Sequence, residues 1–246
     1  MEPPLELFYL SWGVFPRRVL IYLAEKGFHK SPLIKFTEVA VSQTDGKLTA
    51  PGKPSGTVPV LRLPDGTFIK QSIAILEYFE DICEHPTEPW QIELTKSANT
   101  SMRGGTPQER ARVRDMLSLT DEITSQFGFA CHKGTVLFSM IEETHPTSAR
   151  LILENCQKNL KLLARYYEDD TRFGNDDAKV TIADCVLYST LHFAKDLYAM
   201  DLLVDSELAS LRKFYEWFGG RESAQVADDH FPQQIKELSC QWLPVE

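Results

Sequence analysis

Long runs of lysine and arginine are missing from this chain: the basic residues form only short clusters, Arg17-Arg18 and the spaced Arg110, Arg112 and Arg114. With a formal net charge of -9 over 246 residues, a nucleic-acid surface is excluded. No apolar stretch approaches the ~18 residues of a membrane-spanning helix, and the opening MEPPLELFYL has no basic region ahead of its short apolar run, so neither a membrane partner nor a secretory leader is expected. Cysteine is sparse. Cys83, Cys131, Cys156, Cys185 and Cys240 stand far apart with no CxxC or metal-ligand spacing, which points to free thiols in a reducing, cytoplasmic setting. A Gly-rich phosphate loop, an HExxH helix and a Ser/His/Asp order are all lacking, and the six histidines are scattered. No metal site is expected. Hydrophobic residues make up 43% of the chain, enough for one large or two small cores.

What is present centres on Lys53 to Asp81, KPSGTVPVLRLPDGTFIKQSIAILEYFED. A Pro/Ser/Gly loop leads into the apolar run Val58 to Leu63, in which Pro59 removes a ladder donor and so belongs at a strand start or edge. Pro64, Asp65 and Gly66 spell a tight turn, and Thr67 to Lys70 returns as the partner strand. Gln71-Ser72 then puts a hydroxyl at a helix N-cap, followed by Ile75, Leu76, Phe79, Ile82 and Cys83 at helical spacing. Upstream, Leu5 to Ser11 reads as a buried strand. Trp12 to Pro16 is a loop, and a helix follows with Val19, Leu20, Leu23 and Ala24 on its apolar side and Gly27 as its stop. Ser31 to Val41 gives a second strand, parallel to the first because a helix intervenes. Arg17 and Arg18 are expected on the solvated surface, and Ser42 to Ser55 as a polar, turn-rich segment with at most a short helix.

The order βαβ, loop, ββα, together with Val58-Pro59 and Gln71-Ser72, resembles the thioredoxin-like domain of cytosolic glutathione transferases. The resemblance implies a cis peptide before Pro59, pairing of the Val58 backbone with the cysteinyl unit of glutathione, and capture of the γ-glutamyl carboxylate by Gln71 and Ser72. A helix N-terminus suits that carboxylate physically, because its unpaired N–H groups and partial positive charge face outward. Where the family often carries Lys before Val-Pro, this chain has Thr57, and Lys53 is the candidate replacement.

Glutathione chemistry needs a thiolate. Lowering a thiol pKa of about 8.5 by two units takes roughly 2.7 kcal/mol, and one hydrogen bond to a charged group supplies ~1.5 to 3 kcal/mol. The family's hydroxyl or thiol at the start of the first helix falls on Gly13 here, with Val14 and Phe15 beside it. Three activators stay open: Tyr9 at the strand end, Ser11 two residues before Gly13, and the backbone N–H groups of the helix start.

After residue 84 the composition turns to Pro, Thr, Ser, Lys and Gly, which reads as a polar linker over 85–106. The remainder, 107–246, reads as all-helical: 108–129, 147–167 with Leu151, Leu153, Leu160 and Leu163 on its apolar face, 180–200, 206–219 and 231–242. Thr181 with Asp184 three residues on is a capping box, and Val180 is placed as its hydrophobic staple; it resembles the family's buried capping motif, which makes Asp184 a stability residue. The expected architecture is thus a thioredoxin-like α/β domain over 1–84 followed by an all-α domain. The resemblance further implies a second substrate, a small apolar electrophile or conjugated unsaturated compound, against Trp12, Phe15, Met116 and Thr120, with Phe127 and Phe129 as further apolar walls, and a homodimer. Conjugation, glutathione-dependent cis-trans isomerisation and a non-catalytic interaction domain all remain open at this point.

Overall fold

Leu5, Leu7 and Phe8 leave no room for solvent on either face of the first strand. All three are fully buried, as befits the central strand of a sheet covered on both sides. A computed structural model of the chain describes residues 3–42, 46–175 and 178–245. Strand β1 (Leu5–Tyr9), helix α1 (Val14–Lys26) and strand β2 (Ile34–Glu38) form the βαβ unit, and β5 (Val60–Arg62), β6 (Phe68–Ile69) and helix α2 (Ser72–Glu84) form the ββα unit. The four strands lie in the order β2-β1-β5-β6. β1 and β2 are parallel, with Leu7 opposite Phe36, while β5 is antiparallel to both β1 and β6. The Pro64-Asp65-Gly66 turn closes with the Leu63 N–H on the Thr67 carbonyl at 2.9 Å, and Asp65 Oδ1 accepts from both the amide and the hydroxyl of Thr67. This is the thioredoxin-like order expected from the sequence.

The segment between β2 and β5 departs from the expected loop or short helix. Ala40–Val41 (β3) and Leu48–Thr49 (β4) pair as a small antiparallel ladder; residues 43–45 of the polar segment lie outside the described part. Leu48 and Ala50 pack onto a cluster of Phe8, Leu10, Val39, Val58 and Val60, so the ladder is held by its apolar contacts with the sheet.

Helices α1 and α2 are tied by polar side chains buried between them. Arg18 Nη1 donates to Ser72 Oγ at 3.4 Å. Eight residues further along each helix, Lys26 Nζ meets Glu80 Oε1 at 2.8 Å, and the Tyr22 hydroxyl donates to the same oxygen at 2.8 Å. Glu80 Oε2 accepts from the Ser101 hydroxyl and the Met102 amide. A fully desolvated carboxylate is tolerable only with this degree of satisfaction.

The stretch expected as a polar linker is ordered. Pro89–Thr95 forms a helix, α3, opened by a capping box of Glu88 and Gln91. Beyond it, Arg103 reaches Glu77 at 2.9 Å, Asp81 at 2.6 Å and Glu84 at 2.9 Å, three carboxylates on one face of α2. The chain divides into one compact unit of residues 1–105 plus Val180–Cys185, and a second of Thr106–Lys179 plus Val186–Glu246.

The second unit is helical. It comprises α4 (Pro107–Gly134), α5 (Val136–Ser139), α6 (Pro146–Ala164), the greater part of α7 (Ile182–Tyr198), α8 (Ala209–Gly219) and α9 (Gln233–Ser239). Val113, Leu117, Thr120, Ile123 and Phe127 line the buried face of α4 as the spacing predicts. On α6 the buried stripe is Ala149, Cys156, Leu160 and Leu163, whereas Leu151, expected on that face, is exposed. Helix α5 was not foreseen: its four residues carry no periodicity. Just before it, Gly134 meets Ala149 and Trp242 so closely that a Cβ there would lie 2.7 Å from the Ala149 Cβ. Only glycine permits that approach.

Candidate functional site

The end of β1 runs into a turn whose Gly13 N–H bonds the Leu10 carbonyl at 3.0 Å. Gly13 is the N-cap of α1 in extended conformation and offers no side-chain cap. The turn is drawn tight. A Cβ on residue 13 would stand 3.1 Å from Pro16 Cδ and 3.4 Å from the Leu10 oxygen, so a side chain there requires Pro16 to give way. The Ser11 amide donates to Glu38 Oε1 at 3.3 Å, pinning the middle of the turn to the end of β2.

Tyr9 packs edge-on against Phe36, with ring centroids 6.4 Å apart. Burial first, and then the charge of Glu38, push its phenol above the usual tyrosine range. A less acidic phenol is a weaker donor to an anion, so Tyr9 is poorly suited to stabilising a thiolate.

The Val58-Pro59 peptide is cis, as the resemblance implies. Val58 sinks its side chain into the Phe8 and Leu10 cluster, with Trp12 packed on the same cluster. The β1–β5 register ends at Phe8 opposite Val60, which places the Val58 backbone beyond the ladder. Thr57 is exposed. Lys53 curls back onto its own loop, donating to the Pro54 carbonyl at 2.9 Å and the Gly56 carbonyl at 2.7 Å; burial and Lys70 lower its pKa.

At the start of α2 the cap differs by one residue from the sequence reading. Gln71 is the N-cap, extended and exposed, and Ser72 is the first helical residue, buried. No acidic side chain stands in the first turn, so the positive end of the helix is not neutralised from within. The Ser72 hydroxyl accepts from Arg18, which is itself completely buried and lies under the Phe15 ring at 4.8 Å. Arg18 therefore corrects the expectation of a solvated side chain. On α1 it shares a stripe with Ile21 and Tyr22, both buried, and its neighbour across the stripe is Ser72 of α2. The sequence signal that could have found it is this i, i+3, i+4 placement ahead of two buried residues.

Phe15 is half-exposed. Of the residues expected to meet a second substrate from the helical half, Met116 and Thr120 are both buried, and the Thr120 hydroxyl donates to the Met116 carbonyl at 2.7 Å. Phe127 is buried and Phe129 exposed. The Thr181 and Asp184 capping box is formed in full: Asp184 Oδ2 accepts from the Thr181 amide at 2.8 Å and hydroxyl at 2.9 Å. Among the described residues, no group of three or more His, Cys, Asp or Glu could hold a metal ion, and no helix is long and apolar enough to cross a membrane.

Residues 12–82 match the family model for the glutathione S-transferase N-terminal domain, the stretch that holds the turn, the cis proline and the α2 N-terminus. Over that stretch the chain is similar to glutathione S-transferases. Glutathione S-transferase 2 of Saccharomyces cerevisiae is 37% identical over 91 residues, covering 34% of this chain and 36% of that protein. Fold similarity extends much further. A glutathione S-transferase from Methylobacillus flagellatus, solved with GSH bound, superposes with a TM-score of 0.64 at 21% identity, over 89% of this chain and 96% of that one. Gtt2 of Saccharomyces cerevisiae gives 0.62 at 21% identity over 89% and 98%. The transferase fold, a thioredoxin-like sheet domain followed by helices, is thus common to both halves of the chain.

Proposed function

We propose that the chain binds glutathione on its sheet unit and conjugates it to a small apolar electrophile. The observation that carries this reading is the pairing of the cis Val58-Pro59 peptide with an α2 N-terminus whose Ser72 is seated on a buried arginine. In this reading the Val58 backbone meets the cysteinyl unit, and Gln71 and Ser72 meet the γ-glutamyl carboxylate. The Arg18 charge adds to the helix dipole at the same place. Thr57 and Lys53 flank the peptide, with Lys53 acting by rigidifying the loop. The thiolate is stabilised by Ser11 and by the first-turn amides of α1, with Tyr9 in a packing role. Trp12 and Phe15 form the sheet unit's contribution to the electrophile site, and Met116 and Thr120 support α4.

A second enzymatic reading is favoured by Gly13. Reversible thiolate addition to a conjugated double bond, rotation and elimination needs the sulfur positioned more than strongly ionised, so a turn without a hydroxyl at residue 13 suits a cis-trans isomerase.

Titration calorimetry with glutathione, followed by turnover assays, tests both. Binding with consumption of glutathione supports conjugation; turnover of a conjugated polyene without net consumption supports isomerisation. Absence of any heat of binding would sink both readings and leave a transferase-like interaction domain. A cytoplasmic location, consistent with five free cysteines, and a homodimer, inferred from the family resemblance, complete the proposal, with sedimentation equilibrium as the check on assembly.

A further inference from the structure

Ser72 enters α2 with its hydroxyl on a group that can only give hydrogen bonds. A guanidinium carries N–H donors and no acceptor, so in the 3.4 Å contact with Arg18 Nη1 the serine oxygen accepts. The serine proton therefore points elsewhere. Among the described residues Ser72 Oγ has no second hydrogen-bond partner, and Ser72 is only 5% exposed. It is a nearly buried donor with no acceptor among the described protein atoms, an arrangement that favours an incoming acceptor.

Everything around that donor has the same sign. The first rung of α2 is the Ile75 amide on the Gln71 carbonyl at 3.0 Å, so the amides of Ser72, Ile73 and Ala74 precede the helical ladder. Gln71 gives them no side-chain cap, and the first turn holds no acidic residue. Behind the serine stands the charge of Arg18, completely buried. A committed hydroxyl donor, first-turn amides and a fixed positive charge all suit a carboxylate, and none of them suits an ammonium. The γ-glutamyl end of glutathione carries one of each on a single carbon. Its orientation on α2 depends on telling them apart.

We propose that Arg18 is the positioning residue that makes this distinction. By holding the Ser72 oxygen it commits the serine proton to the ligand, and its charge decides that the α-carboxylate, not the α-ammonium, is seated on α2. The inference rests on the glutathione reading and extends it from the residues that meet the tripeptide to one buried behind them.

The test is titration calorimetry of the full chain with glutathione and with γ-aminobutyryl-cysteinylglycine, which keeps the amine and lacks the α-carboxylate. The unchanged protein should prefer glutathione by roughly thirtyfold or more. Arg18→Gln offers an oxygen that takes the Ser72 proton back, and Arg18→Met offers neither charge nor donor; each should cut that preference about tenfold. Arg18→Lys, still charged and donor-only, should retain most of it. In a Ser72→Ala background, Arg18→Gln should change the preference little, because the group it acts through is gone. The preference is a ratio taken within one protein, so a lowered thermal midpoint does not enter it, and Gln and Met give two independent chances of a folded variant. Equal weakening of both ligands in Arg18→Gln and Arg18→Met would make Arg18 purely structural and overturn the inference while leaving glutathione binding in place. No binding of glutathione to the unchanged chain would remove the glutathione reading itself, and the inference with it.

Discussion

At residue 72 a serine hydroxyl faces a buried guanidinium, and the consequences for binding can be put in numbers. Loss of one hydrogen bond to a charged group costs about 1.5 to 3 kcal/mol, so Ser72→Ala should weaken glutathione binding roughly 10- to 100-fold by calorimetry while leaving the fold intact. Tyr9→Phe should leave the ultraviolet thiolate band of bound glutathione in place, because the phenol is shifted away from donating to an anion, whereas Ser11→Ala should diminish it. The start of α2 at Gln71-Ser72 was legible in the sequence because a turn and a cap at fixed spacing are a local signal, and the cis peptide at Val58-Pro59 followed from the family resemblance. Arg18 was not, since what buries it lies 54 residues further along the chain. A second buried charge sets an acid limit. Glu6 lies in β1 between Lys35 and Arg62, each at 2.8 Å, with the Thr37 hydroxyl at 2.6 Å. Burial raises its pKa, but the hydrogen bonds from Lys35 and Thr37 and the charges of Arg62 and Lys35 outweigh it, holding the carboxyl below its ordinary value of 4.5. With the folded pKa depressed, the stabilisation is present above pH 4.5 and disappears as pH falls below it. Urea midpoints at pH 7 and pH 3.5 should converge in Glu6→Gln relative to the unchanged protein; an identical difference in both would count against this role.

Helix ends and clamps decide stability at the next scale. Thr181→Ala removes the reciprocal cap of α7 and should cost about 1 to 2 kcal/mol in urea unfolding. Arg103→Ala releases the loop from the acidic face of α2. Since Asp81 is largely exposed, the cost is discounted to about 1 to 2 kcal/mol, with faster amide exchange at residues 100–104 as the distinguishing sign. The long helices were readable because their stripes repeat over several turns, and the Thr181 box because its two partners are three residues apart. β3, β4, α3 and α5 were not. Elements of two to seven residues carry too few side chains for a period to show and too few hydrogen bonds to stand alone; β5 and β6 were read through the Pro64-Asp65-Gly66 turn between them, whereas β3 and β4 have no such marker and exist through contacts made elsewhere, such as Leu48 on the Phe8 cluster.

For the whole molecule, the division into two compact units does not follow the chain. Val180–Cys185 counts with residues 1–105, and its entry point is fixed by the Ile182 amide on the Met102 carbonyl at 3.0 Å. A fragment of residues 1–105 should therefore unfold at lower urea than the same unit in the full chain, followed by the fluorescence of Trp12 and Trp90; equal midpoints would show that the returning segment adds nothing. The same hydrogen bond carries a consequence for synthesis. A ribosome emits the sheet, both its helices and the Arg103 clamp, then must translate the whole of α4, α5 and α6 before the last piece of that first unit appears. At ~5 to 20 residues per second, the sheet unit waits roughly 4 to 15 s, nearly complete, for six residues that arrive after much of the helical unit has been made.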